Sequence, residues 1–183
     1  METGLSKHVQ GEYEKWRTFL YERVTFVREK SACHARDHCA RVLLFALKIA
    51  EKLSLSKEER DILSTAAVFH DCCRFNDDKD VGHGQRAADK YRSVVEELGL
   101  TFDERVYFIM AYHDRHDAQG EAAIREHFEG KADEVLLLYR IFKDADALDR
   151  FRFGPYELDE RYLRIPASRE LIEFAREVNG VEE

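Results

Sequence analysis

A chain of 183 residues with 29 basic and 37 acidic side chains carries a net charge of −8, a size and balance suited to one soluble domain spanning 1–183. An acidic surface repels a phosphate backbone at long range, so non-specific nucleic-acid binding is not expected, whereas a small phosphorylated ligand held through a metal stays open. Apolar runs such as 42–47 and 135–139 fall far short of the ~20 residues a bilayer span requires, and no membrane helix is expected. The first thirty residues, with Glu2, Glu12, Glu14 and Glu22 among their bases, do not read as a signal or transit peptide. Cysteines at 33, 39, 72 and 73 form no CxxC pair. A reducing cytoplasm with inert thiols fits them better than a structural zinc or a disulfide framework.

The periodicity along the chain is helical. Tyr13, Trp16, Leu20, Val24 and Val27 share one face of a helix over about 10–30. The next helix, about 35–53, turns Val42, Ala46, Ile49 and Leu53 inward, and Ser56 with Glu59 makes a capping box that opens a third. That third helix runs to about Arg74, and its stretch Ala66–Phe69 is apolar throughout, as in a helix buried in a bundle. The polar stretch 75–84 is a loop, followed by a helix of about 84–98 that Gly99 stops. Val106, Ile109, Met110 and His113 line a helix of about 102–117, Gly120 follows it, and a shorter helical piece reaches Phe128. Val135, Leu138, Tyr139 and Phe142 give another apolar face. Gly154 and Pro155 then break the chain, and Pro166 opens a last helix bearing Leu171, Phe174, Ala175 and Val178. These segments predict an all-α bundle of about six to eight helices.

Ionisable residues fall on three of the buried faces. His34 and His38 lie one turn apart, with Arg41 three residues on, at the start of the second helix; a single histidine so placed is more often a satisfied core residue than a ligand. His70-Asp71 closes the apolar run of the third helix, where a carboxylate without a partner is costly. It is either a helix cap with Asp71 on Arg74 or part of a polar site. In 143–149, Asp146 and Asp149 continue the inner face while Asp144 points away, and Asp146 either pairs with Arg150 or enters the same site. Two imidazoles and two carboxylates converging from three helices make an N/O set suited to manganese, iron, cobalt, nickel or, less readily, magnesium. The HExxH zinc motif is absent, since 34–38 reads HARDH.

In order, spacing and helical placement, His38 in HCARV, His70 and Asp71 in AVFHDCCR, and Asp146 in KDADALD resemble the HD-domain superfamily of metal-dependent phosphohydrolases. The resemblance covers about 32–150, leaving flanking helices at about 10–30 and 155–180, and is strongest to small single-domain bacterial members. In those an extra histidine precedes the HxxRV motif, here His34, and another opens the helix after the HD loop, here His83. The resemblance implies an HD-type helical bundle, His38, His70, Asp71 and Asp146 as ligands of a first divalent ion, and Asp71 and Asp146 orienting and deprotonating the attacking water. Binuclear members add histidines, for which His83 and His113 are the candidates, with His34 also available to a second metal or the substrate; Asp71 would then bridge. Family members often carry Arg or Lys after the final aspartate, where this chain has Ala147. Arg41 and Arg74 are the candidates for phosphate contact, with salt bridging to the acidic loop as their alternative. The implied activity is hydrolysis of a phosphomonoester or phosphodiester in a small, nucleotide-like substrate. The competing reading is a non-catalytic module that binds a nucleotide or a protein partner.

Overall fold

A helix that is apolar on every side is stable only when other helices wrap it, and the segment Val42–Leu47, buried without a break, is such a helix. In the computed structural model, which describes residues 3–29, 31 and 35–181, α1 (Lys7–Arg23) packs against α2 (Arg36–Lys52), and α3 (Lys57–Phe69) packs against both. Three further helices, α4 (His83–Val94), α5 (Glu104–Tyr112) and α6 (Asp117–His127), lead to α7 (Ala132–Leu148), which returns to lie along α2. Short 3-10 turns at Asp149–Phe153 and Glu160–Tyr162 and two short helices, α8 (Pro166–Arg169) and α9 (Ile172–Val178), complete the chain. The described residues form no strand. None of their helices is long and apolar enough to cross a membrane.

Local chemistry sets most boundaries. The Ser56 side chain accepts the Glu59 N–H while the Glu59 carboxylate accepts the Ser56 N–H at 2.7 Å, so the capping box opens α3 as expected. Helix α1 stops at Arg23, which leaves Val24 buried but Val27 56% exposed rather than on the inner face. Leu53 likewise falls beyond the end of α2 and is not part of its buried face. The third helix ends at Phe69, not near Arg74. After it the bonds shorten to Cys72 N–H on Phe69 O and Arg74 N–H on Asp71 O, a 3-10-like tightening that puts His70 and Asp71 at the helix end. At the carboxyl end, the one predicted helix is two, because Leu171 N–H bonds Ser168 O in the same shortened register.

Two glycines control how closely helices approach. The single helix expected over 102–117 is split after Tyr112, and Gly120 lies inside α6 instead of ending a helix. A Cβ at Gly120 would overlap the Tyr139 hydroxyl, so its absence lets α6 press onto α7. At Gly84 a Cβ would overlap the Met110 carbonyl oxygen and lie 2.8 Å from His113 Nδ1. Its absence lets α4 touch the end of α5 and brings His83 to His113. Gly84→Ala is therefore expected to destabilise the fold by about 1–3 kcal/mol and to separate these two histidines. Urea denaturation alongside metal stoichiometry checks both effects.

Asp144 leaves the inner face that Asp146 continues, as its position in the helix predicts, but it does not reach solvent. It is fully buried, accepting N–H groups of Arg164 at 2.9 Å and Ile165 at 2.8 Å and the Arg164 guanidinium at 3.0 Å. Those bonds fasten the returning segment 154–165 to α7.

Candidate metal centre

Four imidazoles and two carboxylates meet where the end of α3 faces α2, α4, α5 and α7. His38 stands in the first turn of α2, His70 and Asp71 follow α3, His83 begins α4, His113 caps α5, and Asp146 lies near the end of α7. His38 Nε2 is 3.1 Å from His70 Nε2, 3.6 Å from Asp71 Oδ2 and 3.3 Å from Asp146 Oδ1. On the other side, Asp71 Oδ1 is 3.0 Å from His83 Nε2 and 3.7 Å from His113 Nε2, and those two nitrogens are 2.9 Å apart. The result is two buried triads, His38-His70-Asp71 and Asp71-His83-His113, each with its ligand atoms within 4.8 Å of one another. They share the Asp71 carboxylate, with Oδ2 toward His38 and Oδ1 toward His83 and His113 and 3.9 Å from His70 Nε2. His34 lies outside the described residues. His116 is exposed and takes no part.

The outer nitrogens fix the protonation of the inner ones. Nδ1 of His70 faces Ala67 O at 2.9 Å, that of His83 faces Asp80 O at 2.7 Å, and that of His113 faces Met110 O at 2.7 Å. Carbonyl oxygens only accept, so each Nδ1 carries the proton and each neutral Nε2 presents a lone pair. His38 is fixed the same way by Asp149 Oδ2, 2.7 Å from its Nδ1. With the imidazoles neutral, the two Nε2···Nε2 contacts set lone pair against lone pair beside a carboxylate. That donor set fits a cation, and its mixture of imidazole and carboxylate suits manganese, iron, cobalt or nickel.

Burial and mutual charge shift the titration of these groups in opposite directions. Burial drives His70 down to about 3, only partly opposed by Asp71. For His38, burial and the Arg152 charge oppose protonation, but hydrogen bonds to Asp146 and Asp149 prevail and raise it. His113 is also raised, burial being outweighed by Asp71 and Asp146. Burial alone would push Asp71 up, yet the surrounding imidazoles His70, His113 and His83 hold it well below the usual carboxylate range. Asp146 is held low against burial by His38, and a third of its side chain, 33%, opens into the cavity above.

Several residues around the centre serve it indirectly. Asp149, fully buried, orients His38 and is itself held by Arg41, from Nε at 2.5 Å and Nη2 at 3.0 Å. Arg41 is therefore engaged by Asp149 and does not line the cavity, which removes it as a direct phosphate contact. Arg74 does line the cavity, with Nη2 on Asp78 O at 2.7 Å and Nη1 3.8 Å from Asp71. Asp146 pairs with His38 and not with Arg150, which turns to Glu157 O at 2.7 Å. Cys39, Cys72 and Cys73 are buried free thiols, and Cys33 lies outside the described residues.

Above the triads opens a cavity of about 440 Å³ lined by Arg74, Lys79, Lys143, Arg150, Arg152 and Arg164 around Asp71 and Asp146. Lys79, Lys143, Arg152 and Arg164 are the members that sequence reasoning did not single out. Arg164 reaches the site only because segment 154–165 folds back, and no local pattern announces that. Asp149 carried a signal, its place on the inner face of α7, but no local pattern pairs it with a histidine 111 residues away.

A helical bundle whose core gathers histidines and aspartates into two triads around a common carboxylate belongs to the proteins that can hold divalent ions between helices. The HD domain family model matches residues 36–150, and the chain belongs to that family. The match begins with α2 and ends just after Asp149, so all six centre residues fall inside it while Arg152, Phe153, Tyr162 and Arg164 of the cavity wall fall outside. Comparisons with curated proteins and with solved structures give no significant match.

Proposed function

We propose that the protein is a metal-dependent phosphohydrolase acting on a small phosphorylated, nucleotide-like substrate. The observation that carries this is a juxtaposition of charge: in a chain of net charge −8, the cavity that reaches the buried histidine and aspartate donors is lined by six cationic side chains against four aspartates, of which Asp71 and Asp146 are themselves donors. Such a wall recognises an anion and a donor set of this kind activates water beside it.

His38, His70, Asp71 and Asp146 would hold a first divalent ion, and Asp71, His83 and His113 a second. When bound, such an ion supplies Lewis-acid polarisation of a phosphoryl oxygen and lowers the pKa of water. The chain's own residues do the rest. Asp149 keeps His38 in the tautomer that presents Nε2, and the Ala67, Asp80 and Met110 carbonyls do so for the other imidazoles. Asp146 engages His38 through Oδ1, which leaves Oδ2 to accept a proton from the attacking water. Arg74, with its guanidinium beside Asp71 and His83, adds positive charge next to the reacting phosphoryl group.

The test strips the protein with chelator, reloads it with manganese, cobalt, nickel or magnesium, and supplies nucleoside mono- and triphosphates, cyclic nucleotides and p-nitrophenyl phosphate. Turnover with at least one metal, and none in the stripped protein, is the expected result. Absence of turnover with every metal contradicts the proposal, and nucleotide binding without turnover would favour the non-catalytic module.

A further inference from the structure

Past Asp149 the chain leaves α7 as a 3-10 turn, in which residues three apart stack above one another. Arg152 thus stands over Asp149, its Nη1 3.0 Å from the Asp149 carbonyl oxygen and 3.4 Å from Oδ2. Its side chain is 11% exposed and lines the cavity together with His38 and Asp146. All of its hydrogen bonds leave from Nη1, and Nε is buried with no partner. The edge formed by Nε and Nη2 is the one that matches two oxygens of a carboxylate or phosphate in parallel. A buried donor left unpaired is costly, and this one belongs to a guanidinium at the wall of an anion-sized cavity.

Of the other cations of the wall, Lys79 is exposed on the loop at the cavity mouth, and the remaining four are differently employed. Lys143 is bound to Asp117 at 2.6 Å and Arg115 O at 2.7 Å, and Arg164 forks onto Asp117 at 2.7 and 2.9 Å and reaches Asp144 at 3.0 Å. Arg74 holds the carbonyls of Asn76 and Asp78, and Arg150 turns out to Glu157. Ala147, next after Asp146, brings no charge to the wall.

We propose that Arg152 is the residue that grips the substrate's phosphoryl group, its guanidinium turning from its buried position to bring the unpaired Nε–Nη2 edge onto two of the non-bridging oxygens, a role that rests on the phosphohydrolase function proposed above. Arg152 lies two residues beyond the HD domain match, so in this chain the anion contact comes from the turn after α7 and not from the position following Asp146.

Calorimetric titration of inorganic phosphate into the metal-loaded full chain tests it, with wild type, Arg152→Gln and Arg152→Lys compared and bound metal measured for each. Arg152→Gln is expected to weaken phosphate binding about tenfold to a hundredfold with its metal content unchanged. Arg152→Lys, which keeps the charge without the fork, is expected to recover only part of the affinity. Wild-type phosphate affinity in Arg152→Gln would overturn the assignment and leave the proposed hydrolase function standing. Loss of metal in both variants would also overturn it, making Arg152 a buttress of Asp149 and His38. Failure of the metal-loaded wild type to bind phosphate would instead strike at the phosphohydrolase reading, and the role of Arg152 would fall with it.

Discussion

Asp71→Ala is expected to abolish metal binding and phosphate-ester hydrolysis together. Asp71 is the only residue common to both triads, with Oδ1 toward His83 and His113 and Oδ2 toward His38. Removing it leaves His83 and His113 with no anionic ligand and His38 and His70 with Asp146 alone, so both groups lose charge that draws a divalent cation out of water. Hydrolysis should fall at least about a thousandfold, the scale on which metal-ion catalysis stabilises transition-state charge. Elemental analysis gives metal per chain and steady-state kinetics gives kcat. A variant that kept its metal and lost only activity would make Asp71 a base rather than a ligand, and one that kept both would refute the bridging arrangement.

Asp149→Asn should act at one remove. The asparagine keeps an acceptor for His38 Nδ1 but loses the charge that now meets Arg41 at 2.5 and 3.0 Å and Arg152 at 3.4 Å. His38 loses the anionic partner that makes Nε2 a better donor, which lowers metal affinity about tenfold to a hundredfold. Two guanidiniums are left without their counter-charge, and the fold should lose about 2–3 kcal/mol, below the range for a fully buried pair because Arg41 is 25% exposed. Metal titration and urea denaturation read the two effects separately. Unchanged metal affinity in a destabilised variant would reduce Asp149 to a structural counter-ion.

Most of the residues gathered at the centre carried a local signal in the sequence, whereas His83 came only from the family resemblance. His38 sat on the inward face of an amphipathic helix, His70-Asp71 closed an apolar run that made an unpartnered charge expensive, and His113 shared a stripe with Val106, Ile109 and Met110, all of which are buried. What stayed hidden depended on contacts between distant segments. Arg41 read as a phosphate ligand because nothing near it in the chain foretold that Asp149, 108 residues on, would claim its guanidinium. Arg152 and Arg164 fell in stretches without helical periodicity, where side-chain direction follows from the 3-10 turn and from the bonds between Asp144 and the 164–165 backbone. Helix ends were misplaced where close packing outweighed propensity. Gly120 has the composition of a terminator, but its position inside α6 is set by Tyr139, whose ring would leave no room for a side chain.

The central claim is that side chains from four helices and the turn after α3 frame two adjacent cation positions that share Asp71. Anomalous diffraction from crystals grown with manganese tests this most directly. The account predicts a manganese peak among His38 Nε2, His70 Nε2, Asp71 and Asp146, and, where a second ion binds, another among Asp71, His83 and His113. A map without anomalous signal at those atoms in the presence of excess metal, with the imidazoles bridged by protons or water instead, would contradict it.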